Sequence, residues 1–141
     1  MDFCKKIVLL IGIYSLLIGC SREPQYYYDQ QTRLYWMHCP AGQEYTGMLC
    51  QGNAVTMHWD EGLRYCAGLD SAKGQWRLAS RDELQNYYLH FGVLKMDIVN
   101  LYWSSSSPAN RPDLAWFLVP KLNSTSTNLK ELDGLILCVS S

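Results

Sequence analysis

Cysteine is the residue type in this sequence most capable of chemistry, and the six cysteines fall into groups by position. Cys4 lies near the N-terminus, and Cys20 follows an apolar run. The others lie further along the chain: Cys39, Cys50, Cys66 and Cys138. If the N-terminal apolar run directs export, these four cysteines indicate two disulfides, for which three pairings are possible. Cys39 and Cys50 are close enough in sequence to bridge an N-terminal hairpin or loop, and the other two would then close a long loop.

Metal binding and catalysis are competing uses of reactive side chains, and the spacing favours neither. The four cysteines are separated by 10, 15 and 71 residues without a C-x-x-C pair, and His38 beside Cys39 is the one hint of a metal site. His58 and His90 belong to no recognisable triad, and no G-x-S-x-G motif marks a serine nucleophile. We therefore expect no metal, no cofactor and no enzymatic activity.

The first nineteen residues have the form of a secretory signal peptide. Lys5 and Lys6 precede an apolar run over residues 7–18, which is about 13 residues long when Gly19 is counted. A helix that crosses a bilayer needs about 20 apolar residues. A cleaved signal is therefore favoured over a transmembrane anchor.

The end of this run is more specific. Leu17-Ile18-Gly19-Cys20 resembles the lipobox of bacterial lipoproteins, in which a small residue precedes the lipidated cysteine. The resemblance implies cleavage before Cys20, acylation with palmitate-type chains and, because Ser21 rather than Asp follows, sorting to the outer membrane. Several acyl chains on one residue anchor a protein durably, whereas one chain holds only marginally. The alternative is an ordinary signal peptide with a coincidental cysteine.

Composition excludes several classes of protein. The 141 residues suffice for one domain, which excludes a multidomain enzyme. The formal charge is -1, and there is no basic run beyond Lys5-Lys6, so a nucleic-acid partner is not expected. Removal of residues 1–19 leaves 122 residues with ten Lys and Arg against twelve Asp and Glu.

A tether is predicted between the anchor and the domain. Residues 20–34 are mostly polar and contain Pro24, which favours a linker that lifts a domain at 35–141 off the membrane. Tyrosine is favoured at protein interfaces. Three consecutive tyrosines in this segment are therefore candidates for binding a partner, although they would also suit packing on their own domain or on lipid headgroups: Tyr26, Tyr27 and Tyr28.

Two helices are predicted in the first half of the domain. The first covers residues 56–69, with Thr56 as its cap, acidic residues in its first turn and Gly68 at its end. Its apolar face comprises Trp59, Leu63, Cys66 and Ala67. The second begins with the capping box Ser80-x-x-Glu83 and ends near Gly92.

Short strands are predicted after residue 100. Apolar runs at 115–119 and 135–139 read as strands, and the stretch between them, residues 121–133, is polar. Two helices followed by short strands indicate an α+β fold.

Five spaced motifs occur in order at residues 59–66, 76–84, 102–106, 115–116 and 137–139. In this order they resemble the DUF1566 family, which includes the C-terminal domain of the Legionella collagen-like adhesin and is similar in fold to C-type lectins. The resemblance covers roughly residues 45–141. It implies two helices beside a small looped antiparallel sheet, with the last strand returning to the first helix.

The resemblance also has consequences for disulfides and ligands. It implies a Cys66–Cys138 bridge, and an additional Cys39–Cys50 bridge is similar to that of long-form C-type lectin-like domains. The Glu-Pro-Asn, Gln-Pro-Asp and Trp-Asn-Asp triplets that bind calcium and sugar in C-type lectins are missing. Leu137 and Ala79 replace an Arg and a Pro that are common in DUF1566 sequences. Ligand sites of relatives therefore do not transfer directly.

The loop at residues 104–113 is the best candidate for ligand binding, because lectin-like folds bind on long loops between strands. Asn110, Arg111 and Asp113 offer amide, cationic and carboxylate groups to hydroxyls or acidic sugars. Four tryptophans in the motifs are expected to pack in the interior rather than to stack on sugar: Trp59, Trp76, Trp103 and Trp116.

Two functions follow from these observations. The first is a lipid-anchored outer-membrane protein whose lectin-like domain recognises a glycan or a protein without performing chemistry, as in adhesion. The second is a structural or accessory subunit of an envelope assembly such as a pilus, secretion or conjugation machine. The small size and the tyrosines favour the second function.

Overall fold

The computed structural model describes residues 24–70, 73–92, 96 and 99–141, so the predicted signal peptide and Cys20 lie outside the described residues. The helices are α1 (Trp59–Ala67) and α2 (Arg81–Tyr87). The strands are β1 (Tyr26–Asp29), β2 (Leu34–Met37), β3 (Glu44–Tyr45), β4 (Cys50–Gln51), β5 (Trp76–Leu78), β6 (Tyr102–Trp103), β7 (Leu114–Val119), β8 (Ser124–Leu129) and β9 (Cys138–Ser140). This arrangement confirms the α+β class with two helices and small antiparallel sheets.

The last segment of the chain, residues 134–140, runs through the centre of the domain and is buried along its whole length. Its side chains alternate between two hydrophobic clusters, as the period of two in an extended chain requires. The odd-numbered residues from 135 to 139 lie in one cluster, and Ile136 and Cys138 lie in the other. This segment therefore joins the two halves of the core.

A four-stranded antiparallel sheet contains the end of this segment, with strand order β1-β2-β9-β5. Val139 in β9 pairs with Trp36 on one side and with Arg77 on the other. The fully buried Trp36 stacks on Tyr87 with 4.6 Å between ring centroids. The N-terminal hairpin is thus fastened to the C-terminal strand and to α2.

The tether prediction is wrong for the part of residues 20–34 that the structure describes. Tyr26–Asp29 is the edge strand β1, and Leu34 is buried at the start of β2. The polar residues between them form the turn, in which the Asp29 carboxylate accepts hydrogen bonds from the Gln31 amide and the Thr32 hydroxyl. A tyrosine-rich segment followed by a polar turn has the composition of a linker, and only its pairing with β2 shows that it is a strand.

Helix α1 begins later than predicted. Its N-cap is His58 rather than Thr56, and the Glu61 carboxylate accepts a hydrogen bond from the His58 backbone amide at 3.1 Å. The predicted end at Gly68 is confirmed. Acidic residues in the first turn are stabilising there, because the N-terminal amides of a helix are electropositive.

The buried face of α1 differs from the predicted one at two positions. Ala67 is exposed, whereas Gly62 and Cys66, one turn apart, are buried. Ile136 packs so closely against Gly62 that a β-carbon there would overlap the isoleucine side chain. The glycine therefore allows the helix to approach the central segment.

Helix α2 confirms the predicted capping box. The Ser80 hydroxyl accepts a hydrogen bond from the Glu83 amide at 3.3 Å, and the Glu83 carboxylate accepts one from the Ser80 amide at 2.8 Å. A π-helical turn, Tyr88–Gly92, continues the helix to the predicted terminal glycine.

A second sheet has the strand order β6-β7-β8. Strand β7 confirms the prediction at 115–119. The polar stretch 121–133 was not predicted to contain a strand, yet β8 pairs with β7 over six residues, from Leu114–Leu129 to Val119–Ser124. Its Ser, Thr and Asn residues carry little strand signal, because packing against a partner strand rather than intrinsic preference decides such pairing.

Both disulfides join the predicted partners. Cys66–Cys138 ties α1 to β9 in the core, and Cys39–Cys50 ties β4 to the segment after β2. No helix within the described residues is long and apolar enough to cross a membrane.

Candidate recognition surface

The loop at residues 104–113 has a buried and rigid base. Ser104 is fully buried, and its amide and hydroxyl both donate to the Trp116 carbonyl at 2.9 Å. The Ser106 carbonyl accepts from the Trp116 amide at 2.9 Å, and the Ser106 hydroxyl accepts from the Arg81 amide at 3.1 Å. The serines that followed Trp103 in the sequence thus anchor the loop, and Ser104 is not available to a ligand.

The tip of this loop is exposed and carries the three predicted ligand-binding residues. Arg111 and Asp113 form a two-point ion pair, with Nε to Oδ1 at 2.9 Å and Nη2 to Oδ2 at 2.6 Å. The hydrogen bonds from Arg111 lower the pKa of Asp113. Asn110 is also exposed and directly precedes Arg111. Arg111 Nη1 takes no part in the pair, so the guanidinium retains a direction for a hydroxyl or an acidic group.

Lys130 and Trp59 lie beside the loop, and the sequence does not predict a role for Lys130 at this surface. The Lys130 amide donates to the Asp113 carbonyl at 3.1 Å, which places the β8 end against the loop tip. Lys130 Nζ lies 3.9 Å from the centroid of the Trp59 ring, and Trp59 Nε1 donates to the Ser104 carbonyl at 2.7 Å. Three distant segments therefore meet here. No sequence signal marks this meeting, because it depends on the pairing of β7 with β8.

We define the recognition surface as the loop tip together with the adjoining Lys130–Trp59 contact. Its residues are Asn110, Arg111, Asp113, Lys130 and Trp59. The exposed side chains of His58 and Asp133 lie next to this surface, because His58 directly precedes Trp59. His58 Nε2 lies 3.6 Å from Asp133 Oδ1. The surface therefore presents amide, carboxylate and cationic groups around one half-buried indole. Such a set can hydrogen-bond to hydroxyls and pair with charges of either sign.

The tryptophans divide into two kinds. Trp76 and Trp103 are buried, which confirms the packing interpretation for them. Trp59 and Trp116 are half-buried, and a cation covers each ring, with Arg81 Cζ 4.9 Å from the Trp116 centroid. Stacking of a sugar on either ring would require displacement of the cation, so polar groups rather than open rings characterise this surface.

The three tyrosines have different environments. Tyr26 packs against Trp76, with ring centroids 5.7 Å apart, and Tyr27 packs 6.0 Å from Phe91. Burial raises the pKa of Tyr27. Only the third, Tyr28, is exposed, at 48% of its surface. Of the predicted partner-binding residues, two therefore stabilise the domain itself.

The remaining predictions from the sequence concern groups that the structure does not bring together. Cys20 lies outside the described residues, and its acylation stays a prediction. Within residues 24–70, 73–92 and 99–141, no cluster of three or more His, Cys, Asp or Glu side chains could hold a metal ion. His38 instead stacks on Tyr45 with 3.9 Å between ring centroids.

Comparison with known families agrees with this architecture. No curated protein matches the chain. The profile of the Lcl C-terminal domain family matches residues 25–140, a range that begins one residue before β1 and ends at the last residue of β9. The match thus includes the N-terminal hairpin together with all three described sheets and both α-helices. The chain belongs to the Lcl C-terminal domain family.

Proposed function

We propose that this chain is a lipoprotein anchored in the bacterial outer membrane through Cys20, whose lectin-like domain recognises a glycan or a protein at the cell envelope. The domain performs no chemistry of its own and serves an adhesion-type role. The lipobox and the family membership support export and surface recognition.

One observation carries this proposal: the exposed loop tip stands on a buried, hydrogen-bonded base. Binding by a loop that is already ordered costs little conformational entropy. Arg111, Asp113 and Lys130 then supply charge-assisted hydrogen bonds, which are stronger than neutral ones. Because the two Arg111–Asp113 bonds also fix each partner's geometry, the pair presents a fixed pattern of donors and acceptors.

The proposal is tested with residues 21–141 secreted without the lipid anchor. A glycan array and a pull-down from envelope extract should identify a ligand, and the Arg111→Ala and Asp113→Ala double variant should bind it roughly tenfold or more weakly. The matched control is the exposed Asp60–Arg64 pair on α1, whose double alanine variant should bind like the wild type. No ligand in either screen, or equal losses in both variants, contradicts the proposal.

A second function is favoured by the edge strand. Strand β1 is at the edge of the four-stranded sheet, and Tyr28 projects from it, with its ring 4.9 Å from that of Tyr35. An exposed edge strand can pair with a strand of another protein. This observation suits an accessory subunit of an envelope assembly.

Tyr28→Ala distinguishes this alternative, because Tyr28 is the exposed member of the three tyrosines. If the chain is an accessory subunit, crosslinking in the native envelope should identify a machinery protein whose recovery falls in this variant. Changes at Tyr26 or Tyr27 are unsuitable, since they would also destabilise the domain. Unchanged recovery of every partner would count against the assembly role.

A further inference from the structure

The β3–β4 hairpin exposes two adjacent large apolar side chains at its tip. Met48 is 86% exposed and Leu49 is 56% exposed. Residues 43–53 contain a single charge, Glu44 at the base of the hairpin. An uncharged tip with two neighbouring apolar side chains is unfavourable in water, and contact with lipid or an apolar partner would remove that cost.

The tip is held in one conformation. The Thr46 amide donates to the Leu49 carbonyl at 3.1 Å, and the Tyr45 hydroxyl donates to the Gly47 carbonyl at 2.8 Å. The Cys39–Cys50 disulfide fastens the second strand of the hairpin to the domain. The two apolar side chains are therefore presented rigidly, so burying them requires little further ordering.

The hairpin lies beside the point where the chain enters the domain. Gln25 forms two hydrogen bonds with the Tyr45 backbone, from Nε2 to the carbonyl at 3.1 Å and from the amide to Oε1 at 2.8 Å. Five residues of chain from Cys20 to Gln25 span at most about 18 Å. A domain of this size is roughly 35 Å across. An anchor at Cys20 therefore holds the Gln25 side of the domain next to the bilayer.

We propose that Met48 and Leu49 insert into the surface of the lipid bilayer that holds the Cys20 anchor. The hairpin then acts as a second, non-covalent contact that orients the domain on the membrane. This inference rests on the acylation of Cys20 proposed above. The absence of basic residues from the hairpin assigns the contact to apolar insertion rather than to attraction by anionic lipid headgroups.

The test uses full-length lipidated protein reconstituted in phosphatidylcholine vesicles, some of whose lipids carry bromine on the acyl chain as a quencher. Met48→Trp places a reporter at the tip. Leu122→Trp is the matched control, because Leu122 is 68% exposed but lies in the turn between β7 and β8. The chain already has five tryptophans, so the emission of the introduced one is obtained by subtracting the wild-type spectrum. This emission should shift to shorter wavelength and be quenched in Met48→Trp but not in Leu122→Trp.

A measurement on the unaltered side chain provides a second test. Met48 of the wild-type protein on vesicles should be oxidised by hydrogen peroxide more slowly than in the lipid-free Cys20→Ser variant, as read by mass spectrometry. Half-buried Met57 serves as the internal reference, and its rate should not change.

The outcomes separate the two proposals. If the wild-type protein floats with vesicles and carries acyl chains on Cys20, but the two tryptophan variants are quenched equally and Met48 is not protected, the insertion is overturned alone. If the wild-type protein carries no acyl chain and does not float, the anchoring proposal fails and the insertion falls with it.

Discussion

One disulfide lies within the core and the other fastens a surface hairpin, so the two have different roles. Cys66–Cys138 is buried and joins α1 to the central segment across a sequence separation of 72 residues. Cys39–Cys50 spans 11 residues and holds a surface hairpin against the four-stranded sheet. The first bridge joins two elements of the core, whereas the second fastens a surface hairpin that Gln25 and His38 also contact.

The difference shows that the two bridges contribute to stability in different ways. On the chain-entropy model a bridge stabilises more when it closes a longer loop. The long bridge also lies where Gly62 permits close packing, so covalent bond and core contact reinforce one another. The short bridge instead holds the β3–β4 hairpin in place on the surface.

The largest effect is expected from removal of the core bridge. Cys66→Ala with Cys138→Ala should lower the free energy of unfolding by about 4 kcal/mol. We expect the domain to be largely unfolded near about 37 °C, since many small domains have little more stability than this. Urea denaturation followed by tryptophan fluorescence measures the loss. A smaller loss than that for the surface bridge would refute this difference between the two bridges.

Removal of the surface bridge should have a smaller and more local effect. Cys39→Ala with Cys50→Ala should cost at most about 3 kcal/mol and leave the core folded. Because the hairpin can then open without global unfolding, a protease should cleave within residues 44–51 before the rest of the chain. Limited proteolysis with mass spectrometry checks this. A cleavage pattern identical to that of the wild type would contradict the proposed local role.

Gly62→Ala examines the close packing beside the core bridge. Alanine in place of glycine stabilises a helix by about 1 kcal/mol through its higher helix propensity. The added methyl group nevertheless overlaps Ile136, and overpacking costs about 1–3 kcal/mol, so we expect net destabilisation. Combination with Ile136→Val should recover part of the loss. A stabilised single variant would show that α1 can move away from the central segment.

The smallest effect is expected at the charged link between β5 and α2. Arg77 donates two hydrogen bonds to Glu83, at 2.8 and 2.7 Å. Partial burial opposes ionisation of Glu83, but the bonds from Arg77 and Ser80 outweigh it and lower the pKa of Glu83 from about 4.5. The stabilisation that ionised Glu83 provides is therefore complete above about pH 4.5 and is lost as pH falls through the lowered pKa.

Glu83→Gln should cost about 1 kcal/mol at neutral pH, since the pair is partly exposed and screened by solvent. It should also flatten the fall in stability below about pH 4.5. Asp82→Asn in the same helical turn is the control and should keep the acid dependence. Thermal denaturation across this pH range distinguishes the two variants, and an unchanged profile in Glu83→Gln would refute the role of the link.

The predictable features are those that local chemistry encodes. The Ser80–Glu83 capping box, the end of α1 at Gly68 and strand β7 all follow from residues within a few positions of one another. The hairpin at 26–37 and strand β8 could not be recognised, because polar and tyrosine-rich segments become strands only through their partners. The same limit applies to the recognition surface, where Lys130 reaches Trp59 only through the fold.

Composition and short spacings are enough to predict the α+β class, the helix caps and the polar groups of the loop tip. Contacts in the folded chain are needed to show which serines are buried, which tyrosine is exposed, and that Gln25 sets the Met48 tip beside the chain's entry point. These properties depend on contacts between distant segments. The central segment at 134–140 provides many of these contacts, because its side chains pack in both halves of the core.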